Sequence, residues 1–217
     1  MDAVRVALLR EVLAGTEWLR STRRFAGTLR GSVARHHGGL LLVGTEEYEP
    51  WHLAAHLDDE AAWAGLPEIS PTLVRHRVPA GVPAHLSVGL GRLEAVRRGE
   101  TLLVVAAGQP GEGLLERVHD ARRGGATVLA LDGAPDEGAG AELRALAHDA
   151  LAAPAASAVC AEPYGSTATE LDLDTVQHLV SAAAGENSLP SARGRRRFRD
   201  RLARLADQLT APPPPRW

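Results

Sequence analysis

Lysine is absent from this chain: all 24 of its Lys+Arg residues are arginine. Without an ε-amine there is no Schiff-base chemistry and no P-loop lysine to grip a nucleotide phosphate. A GC-rich genome, which favours Arg, Ala, Gly and Pro codons, accounts for the omission without a functional cause. Cysteine is reduced to Cys160 alone, which excludes an intrachain disulfide and a thiolate cluster around zinc. Aromatic residues make up 4% of the chain, so Leu, Val and Ala must supply most of the buried area. No apolar run is long enough to cross a bilayer. Cationic charge is not in surplus either. The formal net charge of −3 argues against a dedicated nucleic-acid binder, whose phosphate contacts need a basic excess. Met1-Asp2-Ala3-Val4-Arg5 lacks the charged start and apolar core of a signal peptide. A protein of the reducing cytoplasm is expected.

What is present is enough for one core. A chain of 217 residues, 45% hydrophobic, holds one domain of ordinary size with terminal extensions. Val4, Leu8, Leu9, Val12 and Leu13, then Phe25, Leu29 and Val33, predict two N-terminal helices with a break near Gly15. They occupy residues 1–34 and would pack on the core or on a partner subunit. Gly39-Leu40-Leu41-Leu42-Val43-Gly44 predicts a strand buried on both faces, followed by a helix through Trp51, Leu53, Ala54 and Leu57.

A second strand is predicted over Thr72 to Val78, near an edge because of its charges, and a helix from Ala84 to Arg98. Thr101 to Ala107, the helical positions Leu114, Leu115, Val118 and Ala121, and the apolar run Ala126 to Leu131 form a strand–helix–strand unit. Such a unit needs parallel pairing and a right-handed crossover. A helix over Ala141–Asp149, a weak strand near Ala155–Cys160 and a helix from Leu173 to Ala184 complete the series. Alternation of this kind predicts an α/β fold, a three-layer doubly wound parallel sheet over residues 35–187. Beyond Asn187, residues 188–217 read as an arginine-rich amphipathic helix, with Phe198, Leu202, Leu205 and Leu209 on one face, and a proline-rich tail. The arginines from Arg193 to Arg199 suit a solvated face; contact with nucleic acid or acidic lipid is the alternative.

Ligands of doubly wound sheets collect beyond the carboxyl ends of the strands. The loops there contain Gly44, Thr45 and Glu46 after the first strand, and Gly108, Gln109, Gly111, Glu112 and Gly113 after the third. His52 and His56 stand four apart on one helical face, as two metal ligands would. Solvated or pocket-lining histidines are the plainer reading. His36 and His37 are weaker candidates, because neighbours on a strand point to opposite faces.

The run Glu100 to Gly113, continued through Ala121 to Asp132, resembles the central signature of sugar-isomerase (SIS) domains. Trp51 to Leu57 and Val176-Gln177-His178-Leu179 resemble the first post-strand helix and the last core helix of the sedoheptulose-7-phosphate isomerase branch. That branch includes non-catalytic relatives associated with the replication initiator. The resemblance spans roughly Val33 to Glu186 and implies a flavodoxin-type sheet, a homodimer or homotetramer, and a sugar-like ligand near Gln177. In the family a Ser-x-Ser-Gly-x-Thr loop grips the sugar phosphate. Here Gly108, Pro110 and Gly113 stand at the three hydroxyl positions, and only Gly111 is kept. A lost hydrogen bond to a charged group costs about 1.5–3 kcal/mol, so losing several weakens phosphate affinity by orders of magnitude. Glu46, Glu47 and Glu49 would add repulsion. Arg75, Arg77 and Arg92 are the arginines that could compensate from another subunit.

Some members of the branch bind zinc through a His-x-x-x-Glu pair. His52 matches it, and His56 stands where the glutamate would be. The expectation is therefore a binding or scaffold module, a pseudoenzyme needing no cofactor, that recognises a sugar-like ligand or a protein partner. The alternative is a phosphosugar isomerase with substituted chemistry, using His52, His56 or His178, with or without zinc. Nucleic acid and membrane are not expected as partners.

Overall fold

Residues 17–36, 38–133, 138, 140–153 and 172–186 are described by a computed structural model. In chain order the elements are α1 (Glu17–His36), β1 (Leu40–Val43), α2 (Trp51–Ala64), β2 (Pro71–Val74), α3 (Gly91–Glu94), β3 (Thr101–Ala106), α4 (Glu112–Arg123), β4 (Thr127–Asp132), α5 (Ala141–Leu146), β5 (Asp149–Ala152) and α6 (Leu173–Gly185). Among the described residues the five strands are all parallel, in the order β2-β1-β3-β4-β5. This is the doubly wound, flavodoxin-like order. Among the described residues, no helix is long and apolar enough to cross a membrane.

The central strands are continuous apolar runs because both faces of the sheet are covered. Every residue of β1 and β3 is buried. Side chains alternate between the faces. Leu40, Leu42, Leu103, Val105, Leu129 and Leu131 join Phe25, Leu29 and Val33 of α1, Leu53 and Leu57 of α2, and Val176, Leu179 and Val180 of α6. Leu41, Val43, Leu102, Val104, Val128 and Ala130 meet Leu93 of α3, Leu114, Leu115 and Val118 of α4, and Leu143 of α5. The first layer thus holds α1, α2 and α6, and the second holds α3, α4 and α5. Phe25 and Leu29 are fully buried, which makes α1 part of this core. Thr101 donates to Ser32 at 3.0 Å, a buried polar tie between β3 and α1.

Helix ends follow local chemistry. At the start of α6 the Asp172 carboxylate accepts the Thr175 N–H at 2.7 Å, a side-chain cap. At the end of α2, Gly65 adopts φ +68°, the left-handed stop that favours glycine.

Three sequence expectations are corrected. The helix expected over 84–98 is reduced to a 3₁₀ turn at Ala84–Leu86 and the single turn of α3, because Gly89 and Gly91 fall within it. Strand β2 ends at Val74 rather than Val78, although it does lie at the sheet edge. The helix expected over 141–149 stops at Leu146, and Asp149–Ala152 is the edge strand β5. Only Leu151 of that strand is buried, so it carries little apolar signal. His36 closes α1 and is not on a strand. The strand expected at 155–160, Cys160, the first of the two N-terminal helices and the arginine-rich segment lie outside the described residues.

Candidate functional site

Helices α2 and α6 both start at the carboxyl edge of the sheet and pack against each other. The loop 44–50, between β1 and α2, is closed on itself. Thr45 pairs with Tyr48, whose N–H donates to the Thr45 carbonyl at 3.2 Å. A side chain at Gly44 would collide with the Tyr48 carbonyl oxygen, so glycine is required there. His76 reaches the Gly44 carbonyl through Nε2 at 2.9 Å.

Two of the three acids of this loop are ion-paired within the chain. Glu49 pairs with Arg75 at 3.1 Å and accepts from the Trp51 indole at 2.7 Å, while Arg75 lies 4.7 Å over the Trp51 ring. Glu46 pairs with Arg77 at 2.7 Å. Arg92 is bound to Glu100. All three candidate compensating arginines are therefore engaged within the chain. Thr45 is buried, which leaves Glu46 and Glu47 as the exposed side chains of the loop.

Tyr48 carries the loop across to α6. Its hydroxyl donates to Asp174 Oδ1 at 3.0 Å and accepts from Gln177 Nε2 at 2.6 Å. Burial, the largest cause, and the neighbouring Asp174 push its pKa up to about 12, so it remains a proton donor at neutral pH. Gln177 is fully buried, and its Oε1 has no hydrogen-bond partner among the described residues. Neither Tyr48 nor Asp174 was singled out from the sequence. The available signal was that Tyr48 is one of only two tyrosines in an aromatic-poor chain.

Beside this network, His178 of α6 meets His52 and His56 of α2. Ring centroids are 4.5 Å apart for His52–His178, 3.9 Å for His56–His178 and 4.6 Å for His52–His56. One ring nitrogen from each lies within 4.8 Å of the others. His178 is buried, and its Nε2 has no hydrogen-bond partner among the described residues; His52 and His56 are half-buried. Burial first, then the neighbouring imidazoles, lowers the His178 pKa to about 4. Burial, then His52, lowers that of His56, with Asp59 opposing. His56 and His178 are therefore neutral at pH 7, the state in which imidazole binds a metal. Three imidazole nitrogens with an orphaned buried Nε2 fit a transition-metal ion such as zinc, which accepts nitrogen donors at about 2.0–2.1 Å. The spread of the nitrogens means that the side chains would draw inward around it. The sequence offered His52 and His56 as metal candidates; the fold adds His178.

The second loop is a bare helix start. Gly111 is the N-cap of α4, in extended conformation and without a side-chain cap. Pro110 is buried and contributes no N–H. A Cβ at Gly108 or Gly111 would meet nothing within 4 Å, and one at Gly113 only the Arg117 guanidinium at 3.5 Å. Crowding does not explain the missing hydroxyls. Glu112 lines an open cleft between α4 and α5 with Glu116, His119, Asp120 and Glu142, acidic surroundings that disfavour a phosphate. Gln109 is exposed.

No family model matches the chain, and no curated protein does. Solved structures do. A protein from Salmonella typhimurium LT2 named for sugar binding aligns with 95% of this chain at 14% identity and a TM-score of 0.51; the chain spans 54% of its length. The fold is of the SIS type. Two further neighbours, each at 14% identity, are the sugar isomerase domain of an RpiR transcription factor from Sphaerobacter thermophilus and the NanR protein of Vibrio vulnificus complexed with ManNAc-6P. The first has a TM-score of 0.45 and covers 94% of this chain and 99% of its own; the second has 0.42 and covers 98% and 77%. The likeness reaches the SIS fold and not the sedoheptulose-7-phosphate isomerase branch.

Proposed function

We propose that the chain is a sugar-binding module of SIS fold that does not turn over phosphosugars and that holds zinc, or a similar ion, at a three-histidine centre. The observation that carries this reading is the convergence of His52, His56 and His178 beside Tyr48 and Gln177, with the His178 Nε2 left unsatisfied. Orphaned buried polar atoms are costly, and two of them on consecutive residues of α6 mark a place built to meet a ligand. His52, His56 and His178 would hold the ion; bound there, it would polarise an oxygen of the ligand. Gln177 would present Oε1 to a hydroxyl, and Tyr48 would keep Gln177 oriented. The bare Gly108–Gly113 loop supports a ligand that is not gripped by a phosphate there. NanR and the Salmonella protein supply the sugar class by analogy of fold only. The module is proposed to work in the cytoplasm as a homodimer or homotetramer, to which the arginine-rich segment 188–217 is appended.

Two measurements test it. Metal analysis of natively purified protein should find about one zinc per chain, and its loss in His52→Ala and His178→Ala. Incubation with a panel of sugar phosphates, with and without zinc, should give no isomerised product by mass spectrometry. Sustained aldose–ketose turnover would replace the binding reading with an isomerase built on the same histidines. That second reading draws on the His178 Nε2, which has no hydrogen-bond partner among the described residues and could accept a proton.

A further inference from the structure

Resting on the metal reading above, we infer that the ligand's anionic group, a sugar carboxylate, is taken at the three-histidine centre and not at the glycine-rich loop. The argument is one of charge. His52, His56 and His178 are the whole of the convergent donor set among the described residues, and no carboxylate belongs to it. Three imidazoles contribute no negative charge, so a divalent ion held there keeps its full double positive charge. Glu60, one turn beyond His56 on α2, is buried against Gly185 of α6 and stands outside the donor set. Asp174 is occupied by the Tyr48 hydroxyl and the Gln177 amide, and Asp59 lies further along α2 on an exposed position. His52 and His56 are half-buried, which leaves an approach from solvent.

A centre of this kind draws an oxyanion, because attraction between unit charges grows as water is excluded. The alternative anion site has been stripped. The start of α4 lacks hydroxyl side chains and a side-chain cap, Pro110 removes one donor, and Glu112 adds a negative charge. A sugar acid suits the centre better than a phosphosugar does. Its carboxylate and adjacent hydroxyl can both meet one ion, and a second hydroxyl would satisfy the unpartnered Gln177 Oε1.

The test uses the full chain loaded with cobalt(II) as a visible reporter. Gluconate, inorganic phosphate and glucose are titrated against its absorption bands, with calorimetry on the zinc form and on the metal-free protein. Gluconate is expected to shift the bands and bind only when metal is present, glucose to do neither, and phosphate to bind more weakly. His56→Glu, which brings a negative charge into the donor set, should keep the metal and lose about tenfold or more in gluconate affinity. His52→Gln, a neutral exchange, should lower metal affinity without this selective loss. Protein that takes up no cobalt or zinc overturns the metal reading itself. Metal uptake with gluconate binding absent, or unchanged in the metal-free protein or in His56→Glu, overturns the present inference alone. Phosphate binding tighter than gluconate would assign the centre to phosphosugars and overturn it too.

Discussion

The hydroxyl of Tyr48 lies 2.6 Å from Nε2 of Gln177, so the loop that follows the first strand is fastened to the last helix at the edge where the histidines gather. Tyr48→Phe removes that hydroxyl and its bond to Asp174. The expected cost is about 1–2 kcal/mol, read as a lower urea midpoint with an unchanged slope. A midpoint equal to that of the wild type would show that the tie bears no weight.

Zinc should stabilise the folded chain through the same edge. A ligand at a hundred times its dissociation constant adds about 2.7 kcal/mol, worth about 5–10 °C in melting temperature for a chain of this size. The shift should be seen in wild type and be absent in His178→Ala. An equal shift in both would place the zinc elsewhere.

Without metal, the histidine cluster should make stability depend on pH. The folded-state pKa of His178 is about 4, against about 6.5 for an unperturbed histidine. Between those values the unfolded chain takes up the proton and the folded chain does not, so stability rises with pH across the window and levels off above it. His56, shifted in the same direction, adds to the slope. Urea midpoints measured from pH 4 to pH 7 should fall less steeply on acidification in His178→Leu than in wild type. Parallel curves would contradict the assignment.

The bare loop invites a gain-of-function test. Because a Cβ at Gly108 meets no atom within 4 Å and one at Gly113 meets only a flexible arginine, Gly108→Ser with Gly113→Thr should fold normally. Each restored hydroxyl bond to a phosphate is worth about 1.5–3 kcal/mol. Phosphosugar affinity by calorimetry should rise at least about tenfold. No gain with an unchanged circular dichroism spectrum would mean that the loop is not where phosphate would sit.

Helix α1 belongs to the core through Phe25 and Leu29. Leu29→Ala is expected to cost about 2–5 kcal/mol, measured by chemical denaturation. A loss below 1 kcal/mol would show that the helix is only laid on the surface.

Much of the architecture was legible in the residues. The runs that became β1, β3 and β4 are apolar through their middles, because a central parallel strand is covered on both sides, and the apolar face of α4 packs on that sheet. Where burial is partial the reading failed. Strand β5 has one buried residue, and the stretch from Ala84 to Arg98 holds helical formers broken by glycines, so neither has a periodic signal strong enough to set its limits.

The site divides in the same way. His52 and His56 share a helix, and their spacing alone puts them on one face; the missing hydroxyls at Gly108, Pro110 and Gly113 are likewise a matter of reading letters. That His178 closes against them, that Tyr48 reaches Asp174 and Gln177, and that Glu46 and Glu49 pair with Arg77 and Arg75 all depend on which helices and loops lie side by side. Local pattern is written in neighbouring residues, because a helix or strand repeats every few positions. Contact between segments far apart in the chain is decided by how the layers pack around the sheet, and only the folded chain carries that information.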